Sequence, residues 1–268
     1  MAHARFGFSS LGSHPYATAF KEAEAMDADF IEFTMNDYGA DLLRAERATI
    51  KELAGDHGVD LLVHLPHGGD DQMIASADSS VQAASLERFA DSLDAAGAIG
   101  AEKAVIHVDA KRYRARLDGP GADDLIGDVS TLADRARDHG IELCIENSLG
   151  RPRRRLSPYE AAELAVAARA SMTLDTGHAR VMGYSTDEMA ELLALHGDVV
   201  SHFHLNDTRR ASDEHLPFGA GNITFETLFE ALSPDWDGTL TTEVSTDSYD
   251  YIAFGLERLK STWTAAQQ

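Results

Sequence analysis

The chain has 268 residues and a formal net charge of −22, from 45 acidic against 23 basic side chains. Hydrophobic residues make up 44%, enough to bury a full core, which excludes wholesale disorder. No apolar run reaches the roughly 18 residues of a membrane span, Met1 to Phe8 carries no apolar segment of signal-peptide length, and one cysteine, Cys144, excludes an intramolecular disulfide framework and a cysteine-built zinc site. Short β-rich runs then follow one another in chain order: Arg5 to Ser9, Asp29 to Thr34, Asp60 to Leu65, Lys103 to Val108, Ile141 to Glu146, Ser171 to Asp175, Val199 to Leu205 and Thr239 to Val244. Segments with helical spacing separate them, as in Leu42, Leu43, Ile50 and Leu53, or Leu86, Phe89, Leu93 and Ala96. Two helix starts are chemically marked: Ser157 precedes Pro158 and has Glu160 three residues on, and Ser185 has Glu188 three residues on, both predicting a capping box.

Eight strands alternating with helices, with no linker or composition break between 1 and 268, predict one domain of the α/β class, a (β/α)8 barrel. The competing doubly wound open sheet would open on a Gly-rich turn, and Phe8-Ser9-Ser10-Leu11-Gly12 is not one. The charge reads as an adaptation to solvent. Asp (27) outnumbers Glu (18), Arg (18) far outnumbers Lys (5), and the acids are spread over every segment. Concentrated salt screens the self-repulsion of such a surface, so the expectation is a cytoplasmic protein of a halophilic organism with no membrane partner.

In such a barrel the chemistry gathers at the C-terminal ends of the strands. His64 ends strand three, His107 strand four and Glu146 strand five; Asp175 ends strand six, with His178 three residues later. His204 lies on strand seven, Asp213 and His215 follow in the next loop, and Glu243 ends strand eight. Each of these on its own is what a structural hydrogen-bonding group looks like. Nine converging nitrogen and oxygen donors are different, because so many carboxylates without a cation cost several kcal/mol per unpaired charge. With no thiol among them, the donors suit Zn²⁺, Mn²⁺, Co²⁺, Mg²⁺ or Fe²⁺, one to three ions. The other histidines read more plainly: His57, His139 and His196 as helix-end or solvent-facing groups, His202 as a deeper core neighbour of His204, and His67 as a candidate substrate contact near the mouth.

The motifs LDTGHA (174–179), HLND (204–207), DEHLPFGAGNI (213–223) and TTEVS (241–245), together with VHLPH and CIEN, resemble the xylose isomerase-like superfamily over about Val63 to Ser245. That superfamily contains sugar and sugar-phosphate isomerases and epimerases as well as endonuclease IV-type apurinic endonucleases. In the first branch the resemblance implies one metal held by Glu146, Asp175, His204 and Glu243. Glu146 and Glu243 then act as catalytic acid and base on an enediolate-forming carbon, and His64, His107, His178 and Arg210 face the substrate. In the second branch it implies three zincs: His64, His107 and Glu146; Asp175, His204 and Glu243 with Glu146 bridging; and His178, Asp213 and His215.

The GAHVS-like opening of the endonucleases is replaced here by FGFSSLG, the connection from His204 to Asp213 is short, and Lys and Arg for a DNA backbone are few. A local reversal of charge marks the mouth. GRPRRRLSP (150–158) places Arg151, Arg153, Arg154 and Arg155 after Glu146, Arg209 and Arg210 follow His204, and KRYRAR (111–116) follows strand four. Arg153, Arg155 and Arg210 in particular suit forked hydrogen bonds to an anionic group. The sequence therefore predicts a metal-dependent sugar or sugar-phosphate isomerase or epimerase with a small anionic or polyhydroxy substrate. The alternatives are the DNA phosphodiesterase and a non-catalytic metal- or ligand-binding barrel.

Overall fold

The structure is a computed structural model that describes residues 4–69, 72–109, 121–149 and 156–268. Eight parallel strands close into a barrel in chain order, β1 (Arg5–Ser9), β2 (Phe30–Thr34), β3 (Asp60–His64), β4 (Lys103–His107), β5 (Glu142–Glu146), β6 (Ser171–Asp175), β7 (Val200–Leu205) and β8 (Thr239–Thr242). Closure runs through β1 against β8, with Arg5 opposite Thr239 and Phe8 opposite Thr242. Among the described residues ten helices surround it: α1 (Tyr16–Ala25), α2 (Met35–Ala45), α3 (Arg47–His57), α4 (Ser79–Ile99), α5 (Ala122–Asp138), α6 (Pro158–Ala168), α7 (Thr176–Met182), α8 (Thr186–His196), α9 (Phe225–Glu230) and α10 (Tyr249–Ala266). This is one (β/α)8 barrel. The apolar spacing from Leu42 to Leu53 is divided between α2 and α3 at Glu46, and β8 stops at Thr242, one residue short of Glu243. Among the described residues no helix is long and apolar enough to cross a membrane.

Period-2 alternation sorts each strand into two faces. Ile31, Phe33, Leu61, Val63, Ala104, Ile106, Leu143, Ile145, Leu174, Phe203 and Leu240 join the core between barrel and helices, all nearly fully buried. Each of these side chains apart from Ala104 contributes about 1.5–3 kcal/mol by leaving water. The intervening positions belong to the barrel interior. At its N-terminal end Arg5 bridges Asp60 and Glu102, at 2.6 and 2.7 Å, and Lys103 meets Glu142 at 2.5 Å. The capping boxes form as the sequence predicts: Ser157 Oγ accepts from Glu160 N while Glu160 accepts from Ser157 N, and Ser185 and Glu188 do the same. They fix where α6 and α8 leave the loops above β5 and β6.

Candidate metal centre and active site

The last inward position of β3, β4, β5 and β6 carries His64, His107, Glu146 and Asp175, and His204 stands at the matching level of β7, directly opposite Asp175 in register. All five are buried. Glu243, the first residue after β8, is held at this level because its backbone N–H donates to Leu205 O. Glu146 is the hub. Its Oε2 lies 2.9 Å from His107 Nε2, 3.1 Å from His64 Nε2 and 3.4 Å from His204 Nδ1, and its Oε1 lies 3.1 Å from His178 Nδ1.

Local backbone chemistry explains the LDTGH spacing. Asp175 is the N-cap of α7, its Oδ1 accepting from His178 N at 2.6 Å, so the capped residue three positions on is carried into the site. Gly177 has no alternative here: a Cβ would stand 1.9 Å from Asn206 Oδ1. Asp207, the last residue of HLND, is fully buried and accepts from the backbone N–H groups of Thr208, Gly219, Gly221 and Ile223. That carboxylate folds the 208–223 loop back over the mouth and delivers Asp213 and His215. There Asp213 Oδ2 sits 3.3 Å from His178 Nε2 and 3.2 Å from His215 Nε2.

Four imidazoles share one design. One ring nitrogen of each is taken by an acceptor: Leu65 O for His64, Asn147 O for His178, Glu243 O for His215 and Glu32 Oε1 for His204. The other nitrogen faces carboxylates, the arrangement in which histidines serve as metal ligands. His204 Nδ1 and Glu243 Oε2 are buried, have no hydrogen-bond partner among the described residues, and lie 3.5 Å apart. Donors bound about 2.0–2.2 Å from one tetrahedral ion stand about 3.4 Å from each other. The donor spacing therefore fits a divalent cation.

The electrostatics point the same way. Burial would raise the Glu146 pKa, but the imidazolium-competent rings of His107, His204 and His178 hold it well below the usual carboxylate range. Asp175 goes the other way: burial, with Glu146 and Glu243 adding to it and His178 opposing, pushes it up to about 7. Burial would lower His215, yet Asp213, Glu243 and Asp175 raise it to about 10. Burial thus pushes Asp175 toward its neutral form, which a cation bound beside it would oppose.

Several sequence expectations are refined here. His67 lies closer to the centre than a peripheral contact, stacked on His107 with centroids 4.8 Å apart, its Nδ1 buried without a partner, and its pKa lowered to about 2 by burial and by His64 and His107. His57, the last residue of α3, and the exposed His139, both expected as helix-end or solvent-facing groups, pair with the carboxylates of Glu24 and Asp94. Arg209 lies back against Glu214 at 3.5 Å, and Arg210 is exposed with a left-handed backbone (φ 78°). Arg151, Arg153, Arg154, Arg155 and the KRYRAR segment lie outside the described residues. Two acids escaped the sequence reading. Asp109, just past β4, faces His107 Nδ1 at 3.9 Å, and Glu32 lies inside the barrel on β2. The signal for Glu32 was a carboxylate at an inward position of an otherwise apolar strand.

Residues 20–262 match the sequence model of the xylose isomerase-like TIM barrel family. The chain belongs to that family. Among curated proteins, an uncharacterized protein from Methanocaldococcus jannaschii is 26% identical over 254 residues, 89% of this chain and 83% of that one. Among solved structures, a D-tagatose 3-epimerase-like protein superposes with a TM-score of 0.78 at 24% identity, covering 98% of both chains. D-allulose 3-epimerase from Methylomonas sp. in complex with D-allulose superposes with a TM-score of 0.77 at 19% identity, again over 98% of both. At these identities the structural likeness within the family is one of fold.

Proposed function

We propose that this xylose isomerase-like barrel is a metal-dependent isomerase or epimerase of a sugar or sugar phosphate. The observation that carries the reading is the placement of Glu146 and Glu243 on the same imidazole nitrogen, His204 Nδ1, at 3.4 and 3.5 Å. Glu146, Asp175, His204 and Glu243 are the residues that would hold the ion. A divalent ion bound there supplies Lewis-acid stabilisation to adjacent oxygens of an enediolate. The two glutamates differ in surroundings, as an acid/base pair must: Glu146 is 1% exposed beneath its imidazoles and Glu243 is 24% exposed at the mouth. Glu146 and Glu243 flank the substrate carbon in this reading, one removing a proton and the other returning it. In this reading His178 and Arg210 are the residues that meet substrate oxygens or an anionic group. Likeness to sugar 3-epimerases over nearly the whole chain supports the reading.

One observation favours a second reading. His178, Asp213 and His215 form a donor group beyond the four-residue set, and His64 and His107 both bear on Glu146. Together these nine groups match what an endonuclease IV-type trinuclear zinc site needs for phosphodiester hydrolysis. The two readings separate in one experiment. The protein is loaded with Mn²⁺, Co²⁺ or Zn²⁺, its metal content is counted, and it is incubated in D₂O with a panel of ketoses, aldoses and their phosphates. Deuterium entering a carbon-bound position supports the isomerase. Three zincs per chain, no exchange with any sugar, and incision of an abasic duplex overturn it.

A further inference from the structure

Glu32 lies inside the barrel, one level below the mouth, and is 1% exposed. A charge so deep in an apolar strand demands a reason, since burial alone opposes its ionised form. Three donors keep it charged. Its Oε1 accepts from His204 Nε2 at 2.9 Å, and its Oε2 accepts from Thr241 Oγ1 at 2.7 Å and His202 Nε2 at 3.2 Å. His202 is held in turn by Thr239 Oγ1, 2.6 Å from its Nδ1. The donors come from β7 and β8, three and two strands from β2 around the closed barrel, so the network links strands that are not neighbours in the sheet. Because a carboxylate only accepts, the Glu32 contact places a proton on His204 Nε2. That leaves Nδ1, buried and unpartnered, aimed at Glu146 and Glu243.

We infer that Glu32 is a positioning residue: by holding the Nε2 proton of His204 it makes Nδ1 the metal-binding atom and fixes the plane of the ring. His202 and Thr241 complete the device by fixing Glu32 itself. The inference rests on the proposed metal site and goes beyond it, because Glu32 is not among the four residues proposed to hold the ion. Outer carboxylates of this kind commonly change metal affinity by about 10–100-fold.

The test uses the full chain and Zn²⁺ or Co²⁺ alone. In the zinc-loaded protein, long-range ¹H–¹⁵N correlation assigns the His204 ring, identified by its loss in His204→Gln. The expected pattern has the proton on Nε2 and the metal on Nδ1. Glu32→Gln, with unchanged circular dichroism, should bind Co²⁺ about 10–100-fold more weakly and shift its visible bands, while Glu32→Asp recovers part of the loss. A proton on His204 Nδ1, or folded Glu32→Gln binding Co²⁺ with the wild-type Kd and spectrum, overturns the inference. Should Glu32→Gln fail to fold, the wild-type spectrum alone decides. His204→Gln separates the two levels. If it binds Co²⁺ like the wild type, the metal-site reading itself fails. If it loses binding while Glu32→Gln does not, only the positioning role falls.

Discussion

Glu243 illustrates how a residue can be poised for chemistry at little cost to the fold. Its Oε2 has no hydrogen-bond partner among the described residues, so removing the charge breaks no hydrogen bond of that oxygen and loses only its longer contacts to His204 and His215, at 3.5 and 3.7 Å. Glu243→Gln is therefore expected to lower turnover by about 10²–10⁴-fold and to leave the thermal melt where it was. Unchanged turnover would remove Glu243 from the proton-transfer role. Gly177 behaves in the opposite way. A methyl group there meets the Asn206 amide, which also hydrogen-bonds Asp175 Oδ2 at 3.2 Å. Gly177→Ala should destabilise by about 1–3 kcal/mol and weaken metal binding together, measured by denaturant titration and Co²⁺ titration on the same sample. A stable variant with weakened metal binding would show that the clash is absorbed at Asp175 alone.

At the scale of elements, the loop after β7 depends on one carboxylate. Asp207 collects four backbone N–H groups, from Thr208 to Ile223, and hydrogen bonds to a charged acceptor contribute about 1.5–3 kcal/mol. Asp207→Asn keeps an oxygen but loses the charge and turns donors toward donors. It should cost about 2 kcal/mol and raise hydrogen exchange in 208–223 more than in β7. An exchange pattern identical to the wild type would show that the loop holds itself. The helix caps make a smaller claim. Ser157→Ala or Ser185→Ala should each cost about 1 kcal/mol, with the site's metal affinity unchanged, because neither serine is among the proposed metal donors.

At the scale of the whole molecule, charge is managed differently at the two ends of the barrel. At the N-terminal end burial would raise the Glu142 pKa, but Lys103 and the Ser171 hydroxyl outweigh it and lower the value. A carboxylate whose folded pKa lies below its unfolded one adds stability above the unfolded value, about 4.3, and loses it as pH falls through the folded value. Glu142→Gln should therefore flatten the wild-type loss of stability between about pH 5 and pH 3, seen as a smaller change in denaturant midpoint across that interval. An undiminished change would assign the acid sensitivity elsewhere. Over the surface, the −22 charge and the scarcity of Lys predict a melting temperature that climbs with added salt well beyond the screening of local pairs. Equal or greater stability at low ionic strength would remove the halophilic reading.

The sequence by itself determined the barrel. Strands of period 2 and marked helix caps are local properties, and the eight predicted strands coincide with the observed ones to within a residue or two at each end. For His64, His107, Glu146, Asp175 and His204 the pattern of an apolar strand closing on a polar residue is itself the reason they stand at the C-terminal ends of their strands. What it could not contain were relations between strands far apart in the chain. Glu32 and His204 are 172 positions apart, so the ring nitrogen that bears the proton is visible only once β2 and β7 face each other. The same holds for Asp207, whose role follows from four backbone donors that no side-chain pattern records. Periodicity fixes which way a side chain points; what it meets there depends on closure of the barrel, and hydrogen bonds and charge are short-ranged enough to be decided by that alone.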